Sequence, residues 1–192
     1  TRARDDARAQ LERVKRITGE LVFRYGDTVT HLPGGLKAQE ALLRDTAAAL
    51  EPALRGAPDD VDLAATMASV HGRLAEILGN TTLAAPERAA DARAAVAQAL
   101  ELAERAWPHC RADWRFASWH VRVLIVHSQL LRAEQRLAQA AAALHKAAER
   151  AAAALALQQG AEGRMYLGVG VANAHLNLAQ LHDHANLPSL HE

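Results

Sequence analysis

Between Leu63 and Glu104 the chain carries small and large apolar residues at helical spacing, a pattern that restricts what the rest can build. Leu74, Ala75 and Leu78 form a large, small, large set, and Ala92, Val96 and Ala99 recur four and three residues apart. Such spacing places each set on one stripe of an α-helix. Alanine at close-approach points lets two helix axes come within about 8–10 Å, so that the ridges of one settle into the grooves of the other. The stretch predicts two antiparallel helices packed face to face. Half of the 192 residues are hydrophobic, but much of that fraction is alanine, with only two Phe and two Tyr. Alanine favours helix, while the β-branched and aromatic residues that build strands are sparse. The expected fold is all-α, a single domain of about seven helices in successive hairpins.

Helical spacing and breakers set the expected elements. Leu11, Val14, Ile17, Leu21, Val22, Tyr25 and Val29 predict an amphipathic helix over 2–29, whose first turns are strongly charged. His31-Leu32-Pro33-Gly34-Gly35 stops it, and Leu36 to Leu54 form the next, ended by Gly56 and Pro58. These two make an N-terminal helical pair over 1–58, ahead of the hairpins of 59–192. Asp59 or Asp60 caps the third helix, which gives way to a loop over Gly79–Pro86. Pro86 or Glu87 opens the fourth and Trp107-Pro108 closes it. The fifth is expected over His109–Leu131, with Leu124, Ser128 and Leu131 facing Ala140, Leu144 and Ala147 of an alanine-rich sixth over Ala133–Gln159. Gly160 and Gly163 break that run, and the seventh spans Met165–Asp183 with Leu167, Val171, Ala174, Leu178 and Leu181 inward.

The run LAEILGN followed by AADARAAVAQALELAE resembles the tetratricopeptide hairpins that follow the membrane span of bacterial serine/threonine protein kinases. In that family a Leu-Gly-Asp-Val-like run ends the first helix and a Gly-Asn step opens a loop. Leu74-Ala75-Glu76-Ile77 and Gly79-Asn80 stand at those places, with Ala75 for the family's glycine. Upstream, ERVKRITGELVFRYGDTVTHLPGGLKAQEALLRDTAAALEPAL is similar to the segment before those repeats, including the Leu32-Pro33-Gly34 break. No Gly-rich loop, His-Arg-Asp or Asp-Phe-Gly motif of a kinase is present. The resemblance implies a tetratricopeptide-like solenoid that forms the non-catalytic sensor region of such a kinase. It would be tethered through a membrane span preceding Thr1, facing the periplasm, and would regulate the kinase on binding. The alternative is a cytosolic scaffold of the same repeat family. Between equivalent positions Ala99 and Ala147 lie 48 residues, against the 34 of a standard unit, so helices or loops are longer than usual.

Zero net charge removes the electrostatic basis for nucleic-acid binding, and one cysteine, Cys110, allows no internal disulfide. His175 and His182 stand two helical turns apart, about 10.5 Å along the axis, which is too far for one ion to bridge. No metal ligand set follows. Gly168-Val169-Gly170 lacks both the third glycine and the preceding strand of a dinucleotide fingerprint. Neither a cofactor site nor a nucleophile with its base emerges, and the chain is expected to be non-catalytic. His71, His127 and His145, on otherwise apolar helices, read as hydrogen-bonded core or rim residues. What remains is a groove along the first helices of the hairpins. Ser69, Glu76, Arg122, Gln129 and Arg132 are its expected lining, and Trp114 and Trp119 read as core residues or as anchors for a partner. Mixed charge there suits a peptide or protein segment with polar anchors. The sequence leaves open whether the ligand is a signal, a protein or another copy of the chain.

Overall fold

The computed structural model describes residues 13, 34–82 and 88–186. Among these residues the chain forms six α-helices and no strand. They are α1 (Gly35–Gly56), α2 (Val61–Thr82), α3 (Ala89–Cys110), α4 (Trp114–Ala133), α5 (Leu137–Leu155) and α6 (Ala161–Asn186). The helix expected over 2–29 lies outside the described residues.

Two helix starts follow from capping carboxylates. Asp60 Oδ1 accepts the Leu63 amide at 2.9 Å ahead of α2, and Asp113 accepts the Arg115 amide at 2.8 Å ahead of α4. Each satisfies an amide that the first helical turn cannot pair internally. Gly34, at φ 74°, turns the chain into α1.

Each hairpin closes on small residues. Leu63, Ala64 and Met67 pack with Leu102, Ala103 and Ala106, while Val70, Leu74 and Leu78 pack with Ala92, Val96 and Ala99, so α2 and α3 run antiparallel. In the second hairpin Val121 and Leu124 meet Ala147 and Ala151, and Leu131 meets Ala140 and Leu144. Ala75, Ala92, Ala99, Ala140 and Ala147 are fully enclosed, as the close-approach pattern requires.

Successive hairpins stack with equivalent helices parallel. A Cβ at Gly72 would stand 2.7 Å from Val123, and one at Gly79 2.9 Å from Val126, so α2 lies directly on α4 in the same direction. Gly163 and Gly170 of α6 face Trp114 and Val121 of α4 in the same way. The starts of α2 and α4 are 53 residues apart and those of α4 and α6 are 47 apart. The result is a layer of α2, α4 and α6 backed by α3 and α5, with α1 against α2.

Several expected boundaries move. Helix α2 runs on through Gly79 to Thr82, because Gly79 gives room to Val126 rather than ending the helix. Helix α3 continues through Pro108 to Cys110, and the break falls at Arg111-Ala112-Asp113, where Asp113 supplies the cap. Gly163 lies inside α6, where its missing side chain admits the Trp114 ring.

The alanine-rich helix expected over Ala133–Gln159 is a single helix that starts later, at Leu137, after a turn at Glu134-Gln135-Arg136, and ends earlier, at Leu155. Gln135 adopts φ 60°. The amide of Arg136 reaches Leu131 O and that of Gln135 reaches Arg132 O, both at 2.9 Å, the bond pair that closes a helix on a left-handed residue. Glycine holds that conformation without the Cβ penalty of about 1–2 kcal/mol. Gln135→Gly is therefore expected to stabilise the protein by about 1 kcal/mol, net of its entropy cost. Chemical denaturation reads this directly, and an unchanged or lower midpoint would contradict it.

Candidate functional site

On the α2/α4/α6 layer three of the expected residues come together. Glu76 of α2 bridges two guanidinium groups: Arg73 Nη1 donates to Oε2 at 2.7 Å and Arg122 Nη2 of α4 donates to Oε1 at 2.5 Å. Both guanidinium groups lie over the Trp119 ring, Arg73 at 5.5 Å and Arg122 at 4.8 Å from its centroid. The ring's negative face stabilises both cations while the carboxylate bonds to each and offsets one of the two charges. Arg73 is 5 % exposed, whereas the Arg122 side chain is 45 % exposed. The buried half of the cluster holds the helices together. The exposed Arg122 has spare donors facing solvent.

Gln129 stands seven residues on from Arg122, exposed on the same face of α4, and Arg132 is half-buried further along. Two expected lining residues are not on the surface. Ser69 is 6 % exposed and donates its hydroxyl to Ala65 O at 3.0 Å, the backbone bond of a serine turned inward in a helix. Trp119 is 4 % exposed, its ring turned to the two guanidinium groups and the core rather than to solvent. Trp114, at the start of α4, is half-buried, stacked on Tyr166 at 4.9 Å with Arg115 on the ring at 4.7 Å. It joins α4 to α6.

A second polar cluster escaped the sequence reading. Glu104 of α3 accepts Arg150 Nη2 of α5 at 2.8 Å, with Lys146 Nζ at 2.9 Å and His120 Nε2 of α4 at 3.0 Å from its other oxygen. The Lys146 and His120 contacts are short but lie off hydrogen-bond alignment. Trp107 packs edge-on to His120 at 5.2 Å and carries Arg150 over its ring at 4.4 Å. Burial pushes Glu104 up, but Lys146, His120 and Arg150 together hold its carboxyl below the usual range. Burial drives His120 down to about 4, against the pull of Glu104, so it is neutral near pH 7. Beside the cluster opens a groove of about 580 Å³ lined by Trp107, Arg111, His145, Lys146, Glu149 and Arg150 with two alanines. Glu104 and the three groups around it lie on three helices, so no local motif marks them. A trace remains in spacing: Glu104–Arg150 and Glu76–Arg122 are both 46 residues apart.

The remaining candidates have these surroundings. His120 is enclosed and touches no open surface. His71 and His127 are half-buried, and burial lowers both pKa values, whereas His145 is exposed. His71 Nδ1 has no hydrogen-bond partner, contrary to the bonded state expected of it. Burial, with Asp62 and Asp113 nearby, pushes the Cys110 thiol up, away from the reactive thiolate. Among the described residues no three His, Cys, Asp or Glu side chains are grouped to hold a metal ion, and no helix is long and apolar enough to cross a membrane. Compared with protein-family models, curated proteins and solved structures, the chain matches none.

Proposed function

We propose that this chain is a non-catalytic binding module of tetratricopeptide-like hairpins, taking a peptide or protein segment along the layer of α2, α4 and α6. The observation that carries the reading is the cluster of Glu76, Arg122 and Trp119. It presents an exposed guanidinium, held over a buried indole, on the same helix face as Gln129. A partner carboxylate or backbone carbonyl pairs with the free edge of Arg122, while Glu76 keeps its bond to the buried Arg73. The parallel stacking of equivalent helices at intervals of 47 and 53 residues supports a solenoid of long, degenerate repeats.

The resemblance of residues 11–104 to the region after the membrane span of bacterial serine/threonine kinases gives the module its role: a periplasmic sensor whose ligand changes kinase output. The test uses the full-length gene product. Arg122→Glu is expected to alter autophosphorylation in response to periplasmic conditions while the domain's circular dichroism stays unchanged. A full-length chain without a span, or a topology reporter placing this region in the cytoplasm, would refute the sensor role and leave a cytosolic scaffold.

A further inference from the structure

The groove beside the Glu104 cluster takes no part in the α2/α4/α6 layer: its walls come from α5 and from the end of α3, behind that layer. At about 580 Å³ it has the size of a site for one small molecule. Cations outnumber carboxylates in it. Arg111, Lys146 and Arg150 line it with Glu149, and Glu104 touches both Lys146 and Arg150, which makes three positive side chains to two negative ones. His145 adds an imidazole to the same lining.

Lys146 and Arg150 stand four residues apart on α5, a spacing at which like charges repel. The single carboxylate of Glu104 offsets one of those charges. An anion in the groove offsets the other. Arg150 is already set for it: its guanidinium lies over the Trp107 ring at 4.4 Å, Nη2 donates to Glu104 at 2.8 Å, and the same side chain, 24 % exposed, lines the groove. Holding the group in one place reduces the entropy that a ligand would otherwise have to freeze out. Lys146, whose ammonium has three donors, keeps donors beyond its contact with Glu104. Arg111 reaches the groove from the turn after α3.

We propose that this groove binds a small phosphate monoester, its phosphate held between Arg111 on one wall and Lys146 and Arg150 on the other. Donors on three separate side chains suit a tetrahedral oxyanion with three terminal oxygens, whereas a planar carboxylate is served by one bidentate arginine. Trp107 and two alanines give the organic part of the ligand an apolar wall. The site is independent of the partner proposed for the α2/α4/α6 layer.

The test titrates phenyl phosphate and benzoate, which carry a phosphate or a carboxylate on the same ring, into the whole chain at constant ionic strength and reads amide and indole NMR shifts. Phenyl phosphate is expected to saturate with a Kd below about 1 mM and to move the signals of α5 from Ala142 to Ala153. Benzoate should bind at least about tenfold more weakly. Arg111→Gln is expected to weaken phenyl phosphate about tenfold, the loss of one charged hydrogen bond, whereas Arg55→Gln, which removes the same charge from α1, should change little. Both residues are exposed, so circular dichroism should be unchanged in either variant. Failure to saturate by about 20 mM, benzoate binding as tightly as phenyl phosphate, or an equal effect of the two variants would overturn the proposal. So would a phosphotyrosine peptide that binds more than about tenfold tighter than phenyl phosphate, because the ligand would then be a protein segment.

Discussion

Trp119→Ala is expected to lower stability by about 3–5 kcal/mol, the cost of removing a buried tryptophan from a packed interface. In a chain of this size that corresponds to a fall in Tm of roughly 6–20 °C. Two effects combine. The ring sits among Val123, Val126 and the α2 residues Val70, Leu74 and Ile77, in the core cluster where Gly72 and Gly79 bring α2 onto α4, so its loss leaves a void that a rigid contact cannot close. It also removes the surface under Arg73, whose guanidinium is buried. Trp119→Phe keeps most of the volume and is expected to cost less than half as much. A Trp119→Ala protein melting within a degree or two of wild type would mean that α2 and α4 do not depend on this residue.

Stability is also expected to fall as pH drops from 6.5 toward 4. His120 titrates at about 4 in the folded chain and near 6.5 when unfolded. Above pH 6.5 both states are neutral and this group adds no pH dependence. Between the two values the unfolded chain takes a proton that the native chain refuses, so stability declines as pH falls, by up to about 3 kcal/mol at 1.36 kcal/mol per unit. His71 and His127, lowered by burial, act with the same sign. Below the ordinary carboxylate range Glu104, held down by its cations, adds a further loss. Denaturation midpoints at pH 7.5 and 5 measure the slope, and His120→Leu should remove the largest part. A profile flat over that interval, or a slope untouched by His120→Leu, would show that the imidazole does not stay neutral in its enclosure.

The helical class and the inner faces of the hairpins were legible because packing in these helices depends on residue size at fixed spacing. Ala92, Val96 and Ala99, or Ala140, Leu144 and Ala147, can be placed from sequence without knowing what they touch. Glycines were less legible. Gly79 and Gly163 were expected to end helices, but each lies within one, because what fixes them is a side chain on another helix, Val126 or Trp114. The end of α4 had the reverse problem: Gln135 takes a left-handed turn with no glycine to announce it. At the candidate site, helical register predicted that Glu76, Arg122 and Gln129 share a layer, yet it put Ser69 there too, since register alone does not say which way a half-apolar face leans. The Glu104 cluster gathers side chains from three helices, and only the packed structure assembles it.

Binding of a partner along the α2/α4/α6 layer is read by site-specific photo-cross-linking in cells expressing the full-length protein. A photoreactive side chain replaces Gln129, exposed on that layer, or Gln98, exposed on α3 behind it. A discrete adduct is expected from position 129, abolished by Arg122→Glu, and none from position 98. Adducts of equal yield from both positions, or an adduct at 129 indifferent to Arg122, would contradict it.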